Sequence, residues 1–235
     1  MARPDSVDGH GKSSPEGMRR RRLENGAAAP GRAAGHKPGD EHPGEIALYI
    51  FDIGGVVSFD GASERRAARI LGIPLRELYT RSEPEFQELT TGGITPEEFW
   101  RKVSRKIGRP IEEELFAACF RPRLNRPVAR LVRRLRRVAR VVAGTNTVEP
   151  HYRIHQDRGD YDIFDAVYAS CRMGLAKPDP AFFCHILERE GRQAEQSLFV
   201  DDREENVHAA AGLGMSALLF TSARRLEREL GPRVG

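Results

Sequence analysis

Ile46-Ala47-Leu48-Tyr49-Ile50-Phe51-Asp52-Ile53-Gly54-Gly55-Val56-Val57 contains six residues without a charge, then an aspartate, then a glycine pair. A short continuous apolar run of this length, stopped by turn residues, predicts a strand buried on both faces, as in a parallel sheet. Asp52 then stands at the carboxyl end of that strand, where open α/β sheets place their ligands.

Working outward toward the amino terminus, residues 1–44 are rich in Gly, Pro, Ala, Arg and His and lack apolar periodicity. They are expected to form a disordered tail, because they cannot bury enough surface to offset the entropy of ordering. In the other direction, residues 61–125 read as helices without an intervening strand. One helix starts after Gly61 and ends at Gly72. A second spans Leu75 to Leu89, with a break expected at Pro84. A third opens at Thr95-Pro96-Glu97-Glu98, an N-cap with proline in the first turn. A fourth covers Ile111 to Phe120. This segment is expected to be a helical cap inserted after the first strand, interrupting a core made of residues 45–60 and 126–235.

From Arg126 the pattern becomes an alternation of helix and strand. Val128, Leu131, Val132, Leu135 and Val138 recur at helical spacing, with arginines on the other face. Strands are expected at Val138–Ala143, Phe164–Ala169, Ser197–Val200 and Met215–Phe220. A polar turn follows the first of these. A helix capped by Asp179-Pro180 runs to Gly191, another covers Glu204 to about Gly212, and a charged helix ends the chain. Alternating β and α elements predict an α/β fold with a parallel sheet covered on both faces.

The chain has 235 residues, 39% of them hydrophobic and 31% charged, with a formal net charge of +4. No apolar run approaches the roughly 18 residues of a membrane-spanning helix, so no membrane partner is expected. Arg19-Arg20-Arg21-Arg22 is followed by Leu23-Glu24-Asn25-Gly26 rather than an apolar stretch, which argues against a secretory signal. Cys119, Cys171 and Cys184 are three in number and widely spaced, which implies neither a disulfide framework nor a zinc site; a reduced, cytoplasmic setting is expected. The basic charge is concentrated in the tail and on the polar face of the helix after Arg126, without aromatic or glycine-rich interleaving. It is read as a solvated surface, and no nucleic-acid partner is expected.

Four segments at predicted strand ends carry the chemistry: Asp52, Thr145-Asn146, Lys177 and Asp201-Asp202. Singly, each has a plainer reading as a cap, a turn or a solvated residue. Together they suit phosphoryl transfer. A carboxylate nucleophile and two further carboxylates form an oxygen set of the kind Mg²⁺ prefers. Lys177 and the Thr145 hydroxyl offer positive charge and a hydrogen bond to phosphate oxygens.

Phe51-Asp52-Ile53-Gly54-Gly55-Val56-Val57, Thr145-Asn146, Gly174-Leu175-Ala176-Lys177-Pro178 and Phe199-Val200-Asp201-Asp202-Arg203-Glu204-Glu205-Asn206 resemble the four motifs of the haloacid dehalogenase superfamily. The likeness covers about residues 46–222. It implies a Rossmann-like core with a helical cap after the first motif, and a Mg²⁺-dependent phosphatase working through an aspartyl-phosphate. Asp52 would be nucleophile and metal ligand, the Gly54 carbonyl a second ligand, and Asp202 a direct ligand with Asp201 beside it. Thr145, Asn146 and Lys177 would grip the transferred phosphate of a small phosphorylated substrate. Within the superfamily the chain resembles the bacterial enzymes that dephosphorylate α-D-glucose 1-phosphate, which implies a sugar phosphate substrate.

One departure concerns Gly54. Most phosphatases of this superfamily carry an aspartate there as general acid and base, a role worth typically ~10²–10⁴-fold in rate. Its loss costs least when the leaving group is weakly basic, as in a sugar 1-phosphate. Asp60 and His151 are the two candidates for a replacement. Two rival readings stand beside the phosphatase. A haloacid dehalogenase would use the same aspartate on carbon without a metal, against which the Asp201-Asp202 pair argues. A non-catalytic relative would bind a phosphorylated ligand or a protein.

Overall fold

A computed structural model of the chain describes residues 45–60 and 62–234; the tail expected at 1–44 lies outside the described residues. The opening apolar run forms β1 (Leu48–Phe51), all four of its residues buried. It is flanked by β4 (Arg140–Thr145) and β6 (Ser197–Asp201), and the sheet is completed by β5 (Ala166–Ala169) beyond β4 and β7 (Ser216–Leu219) beyond β6. Every pairing is parallel. Side chains of β1 alternate between two cores: Tyr49 and Phe51 pack into one, Leu48 and Ile50 into the other. Helices α5 (Arg126–Leu135) and α10 (Ala223–Leu230) cover the first face through Val128, Leu131, Leu226 and Leu230. Helices α8 (Pro180–Glu190) and α9 (Glu204–Gly212) cover the second through Phe182, Phe183, Ile186 and Ala210. The expected α/β fold with a doubly covered parallel sheet is therefore what the chain adopts. The strand order β5-β4-β1-β6-β7 runs outward in both directions from β1, which puts a switch point at that strand's carboxyl end.

Between β1 and β4 a two-stranded antiparallel ribbon, β2 (Ser58–Phe59) with β3 (Arg123–Leu124), frames four helices. These are α1 (Ser63–Leu71), α2 (Leu75–Thr90), α3 (Pro96–Ile107) and α4 (Leu115–Cys119). They share an apolar cluster of their own, built around Leu78, Leu89, Phe99, Trp100, Val103 and Leu115. Val148, three residues past Thr145, belongs to that cluster, so the helices are seated at the carboxyl end of the sheet. Gly92 lies so close to the backbone oxygen of Cys171 that a Cβ there would stand 2.3 Å from it.

Several expectations change. Pro84 does not break the second helix: α2 runs unbroken past it. The proline is exposed and so is Thr80, four residues earlier, so the carbonyl left without a helical donor faces water while Leu78 and Leu89 hold the buried side. Val138 is 59% exposed and belongs to neither the helix nor the strand, which begins at Arg140. The turn expected after β4 holds only a few residues before a further helix, α6 (Glu149–Asp157), and a single turn, α7 (Ser170–Met173), follows β5. The expected helix at 111–120 is confined to α4. The arginines of α5 do face solvent, as at Arg126, Arg130 and Arg133.

Candidate active site

Asp52 leaves β1 at its carboxyl end with only 7% of its surface exposed. Asp201 closes β6 and is fully buried, and Thr145 closes β4 and is buried as well. Lys177 comes from the loop between α7 and α8 and projects between the strand ends. Its Nζ donates to Asp52 Oδ1 at 2.8 Å and to Asp201 Oδ2 at 2.6 Å. An ammonium has three N–H donors, so one remains for a further acceptor.

Asn146 holds this lysine in place. Its Nδ2 donates to the Lys177 carbonyl at 2.7 Å, and its Oδ1 accepts from the Lys177 backbone N–H at 2.9 Å. Both ends of the carboxamide thus bond to Lys177's main chain. These two bonds give Asn146 a positioning role toward Lys177, and its second Nδ2 proton is left over from them.

The two adjacent aspartates differ sharply. Asp201 is held by three hydrogen bonds: Oδ1 accepts from the Arg203 backbone N–H at 2.9 Å, and Oδ2 accepts from Asn206 Nδ2 at 3.0 Å besides Lys177. Asp202 is exposed and lies over Gly55, where a Cβ would stand 1.9 Å from its Oδ2. Gly55 has φ +76, a left-handed conformation suited to glycine, so two constraints exclude a side chain there. Reading the sequence singled out Gly54 and passed over Gly55; the glycine pair itself was the available signal. Turn hydrogen bonds run from Gly55 N–H to Ser58 and from Val57 and Ser58 N–H to Ile53, and the Gly54 carbonyl is not consumed by them.

Ligand oxygens of Asp52, Asp201 and Asp202 all lie within 4.8 Å of one another. Burial raises the Asp52 carboxyl to a pKa of about 6, against the opposing pull of Lys177 and with the help of Asp201's charge. Burial and the Asp201 charge raise Asp202 too. Three carboxylates face a single ammonium, so the cluster is short of positive charge by two. A divalent cation with a taste for oxygen ligands restores the balance, and the donor set fits Mg²⁺.

Neither candidate for a replacement acid is free to serve. Both oxygens of Asp60 accept from Arg66 Nη2, at 2.6 and 2.5 Å, and Oδ2 also accepts from the Arg121 backbone N–H at 2.5 Å. Its pKa is lowered by the bonds from Arg121 and Arg66, which outweigh the effect of burial. Asp60 therefore staples the two ends of the helical segment together. His151 stacks on Phe120 with ring centres 3.8 Å apart, and burial pushes its pKa down to about 4. It is neutral at neutral pH.

Residues 46–214 match the haloacid dehalogenase-like hydrolase family. The Sesquiterpene phosphatase astK of Aspergillus oryzae is 31% identical over 195 residues, which cover 79% of this chain and 95% of that one. A phosphatase of Mycobacterium tuberculosis, MT3486, is 29% identical over 74% of this chain and 87% of its own. Among solved structures, the magnesium complex of a HAD family enzyme from Bacteroides thetaiotaomicron superposes with a TM-score of 0.66 at 25% identity, covering 76% of this chain and 94% of that one. With the family match spanning well over half its length and the four expected segments meeting at one strand-end site, this chain belongs to the haloacid dehalogenase-like hydrolases.

Proposed function

We propose that this hydrolase is a Mg²⁺-dependent phosphatase that opens a small organic phosphate ester with the carboxylate of Asp52. The observation that carries the reading is the cluster of Asp52, Asp201 and Asp202 around the ammonium of Lys177. Asp52, the Gly54 carbonyl and Asp202 would hold Mg²⁺, with Asp201 behind them, and the bound ion supplies the positive charge that lets a carboxylate approach an anionic phosphate. Lys177 keeps Asp52 ionised against its burial and points its third N–H at a phosphate oxygen. The Thr145 hydroxyl, at the end of the neighbouring strand, donates to another. One Asp52 oxygen bonds to phosphorus as the ester P–O bond breaks, and the departing alkoxide takes its proton from solvent. Water then attacks the same phosphorus; the bond to Asp52 breaks, releasing inorganic phosphate and restoring the carboxylate.

Residues 61–125 act in this reading as the cap that selects the organic group. Support comes from their seat at the strand ends, through Val148 and the contact of Gly92 with Cys171. With Gly54 in place of an acid, and Asp60 and His151 otherwise occupied, the enzyme favours esters whose alcohol departs without a proton. A sugar 1-phosphate is one such class. An apolar alcohol is the other class to test, because a relative at 31% identity is named a sesquiterpene phosphatase.

Phosphate release from α-D-glucose 1-phosphate, glucose 6-phosphate, a C15 isoprenoid phosphate and an aryl phosphate, with and without Mg²⁺, tests the proposal. Turnover should require Mg²⁺ and vanish in Asp52→Asn, while the variant keeps its circular dichroism spectrum. Full phosphate release after chelation would remove Mg²⁺ from the mechanism, halide release from a 2-haloacid without phosphate release would favour the dehalogenase reading, and full turnover by a folded Asp52→Asn would rule out the covalent route.

A further inference from the structure

Helices α1 to α4 surround an apolar cavity of about 60 Å³, walled by Leu78, Phe86, Phe99, Trp100 and Phe116, with His151 of α6 at its side. That is several times the ~10–15 Å³ a single water needs, and an apolar lining of this kind does not hold water well. The walls are aromatic and mutually packed: Trp100 and Phe116 have ring centres 4.8 Å apart, and Phe99 and Trp100 4.9 Å. Phe86 and Tyr79 line it as well and are 41% and 48% exposed, so the cavity reaches the surface beside two large rings.

His151 adds a polar feature. Its Nε2 is buried and has no hydrogen-bond partner among the described residues, while the ring is fixed by the stack on Phe120 and by edge-on contact with the Phe116 ring. Buried ring nitrogens are nearly always paired, so an orphan on the wall of a cavity asks for a partner from outside the chain. A neutral imidazole with its proton on Nδ1 offers Nε2 as an acceptor.

We propose that this cavity is the subsite for the organic part of the substrate, and that it selects an apolar chain or ring bearing a hydroxyl that donates to His151 Nε2. The occupant follows from position as well as lining. The cavity's wall includes His151 of α6, the helix that follows the strand end at Thr145, and Val148 between the two packs into the apolar cluster that surrounds the cavity. This inference rests on the phosphatase reading above, and the substrate class it names is an amphiphilic organic phosphate rather than a polyol phosphate.

Trp100 is the only tryptophan of the chain, so its fluorescence reports on this cavity without interference and without turnover. The Mg²⁺-loaded protein would be titrated with n-alkyl phosphates from two to ten carbons and with their hydroxylated counterparts. Kd read on Trp100 should fall about fourfold for each buried methylene until the cavity is filled, the worth of removing one CH₂ from water. The same slope should appear in kcat/KM. Phe86→Asp, at a half-exposed position where the fold tolerates change, should flatten the slope. His151→Phe, which preserves the stack on Phe120, should erase the preference for the hydroxylated series while leaving the chain-length slope. A Kd independent of chain length overturns the inference, as does a slope that survives Phe86→Asp. A chain-length slope in Kd without any phosphate release would support the cavity's role in binding and count against the phosphatase reading instead.

Discussion

Replacing Gly54 by aspartate should convert a leaving-group-limited enzyme into a tolerant one. The backbone permits it: Gly54 is not in the left-handed region, and a Cβ there meets nothing nearer than Asp52 Oδ2 at 4.0 Å. The new carboxylate would sit roughly 5 Å from Asp52, where two like charges cost about 1 kcal/mol in water and about 3 kcal/mol at an effective dielectric of 20. Because Gly54 is exposed, the lower figure applies more nearly, and it raises the new group's pKa by about one unit above the ordinary ~3.9 for Asp. An acid of pKa about 5 is protonated about a tenth of the time at pH 6, so the gain should fall toward the low end of the ~10²–10⁴-fold range for a positioned acid–base. The assay is kcat against leaving-group pKa over a series of aryl and alkyl phosphates, in saturating Mg²⁺ at pH 6 to 7. Wild type should show a steep negative slope. Gly54→Asp should gain about 10²-fold on alkyl phosphates, change little on nitrophenyl phosphate, and melt within a few degrees of wild type. A wild-type enzyme whose rate does not depend on leaving-group basicity would refute the reasoning, since it would mean that a proton is already being supplied.

Further outcomes follow from the same geometry. Gly55→Ala puts a Cβ where Asp202 now lies and strains a backbone at φ +76, so the Mg²⁺ concentration for half-maximal activity should rise about 10–100-fold, the range seen when a metal ligand's support is disturbed; an unchanged titration would remove Asp202 from the metal site. A protein beginning at Glu45 should keep both turnover and melting temperature, because the family match starts at residue 46; a clear loss of either would give residues 1–44 a structural role. Neutral His151 has a folded pKa of about 4 against ~6.5 unfolded, so its contribution is complete above pH 6.5 and is lost as pH falls toward 4, by at most about 3 kcal/mol. Asp52 works in the opposite sense, since a carboxyl raised to about 6 favours the folded state at low pH and disfavours it as pH rises through 6. In saturating Mg²⁺, which keeps Asp52 charged, the acid-side drop in melting temperature should be smaller in His151→Phe; an equal drop would place the lost stability elsewhere, His155 being the next candidate.

The sheet was legible because a parallel sheet covered on both faces writes itself as uninterrupted apolar runs. Leu48–Phe51 and Ser197–Val200 are such runs, and the glycine and aspartate signals after them mark the functional edge. What escaped had no periodic signature. Helix α6 buries only Tyr152 and His155, so it carries no apolar stripe, and Thr145-Asn146-Thr147 before it reads as a turn; Pro150 in its first turn was the one usable cue. The ribbon of β2 and β3 has two residues per strand, too few for an alternation to show. Pro84 misled because a proline's cost depends on where the orphaned carbonyl points, and only the tertiary fold decides that it points to water.

The site divides along the same line between local and distant information. Asp52, Thr145 and Asp201-Asp202 could be placed from the strands that precede them, because a strand end is a local property. The work of Asn146 could not, since its carboxamide bonds to a backbone 31 residues away in the chain. Asp60 and His151 show the converse. Each has the right chemical type for a proton donor and stands near a motif, yet one is committed to Arg66 and Arg121 and the other is held neutral against Phe120. Their commitments leave Gly54 without a stand-in among the residues that reading the sequence proposed. Substrate choice in this chain should therefore depend on two things together: how readily the alcohol departs, set at Gly54, and how well its carbon skeleton fills the aromatic cavity beside Trp100. A substrate that satisfies only one of them should be a poor one.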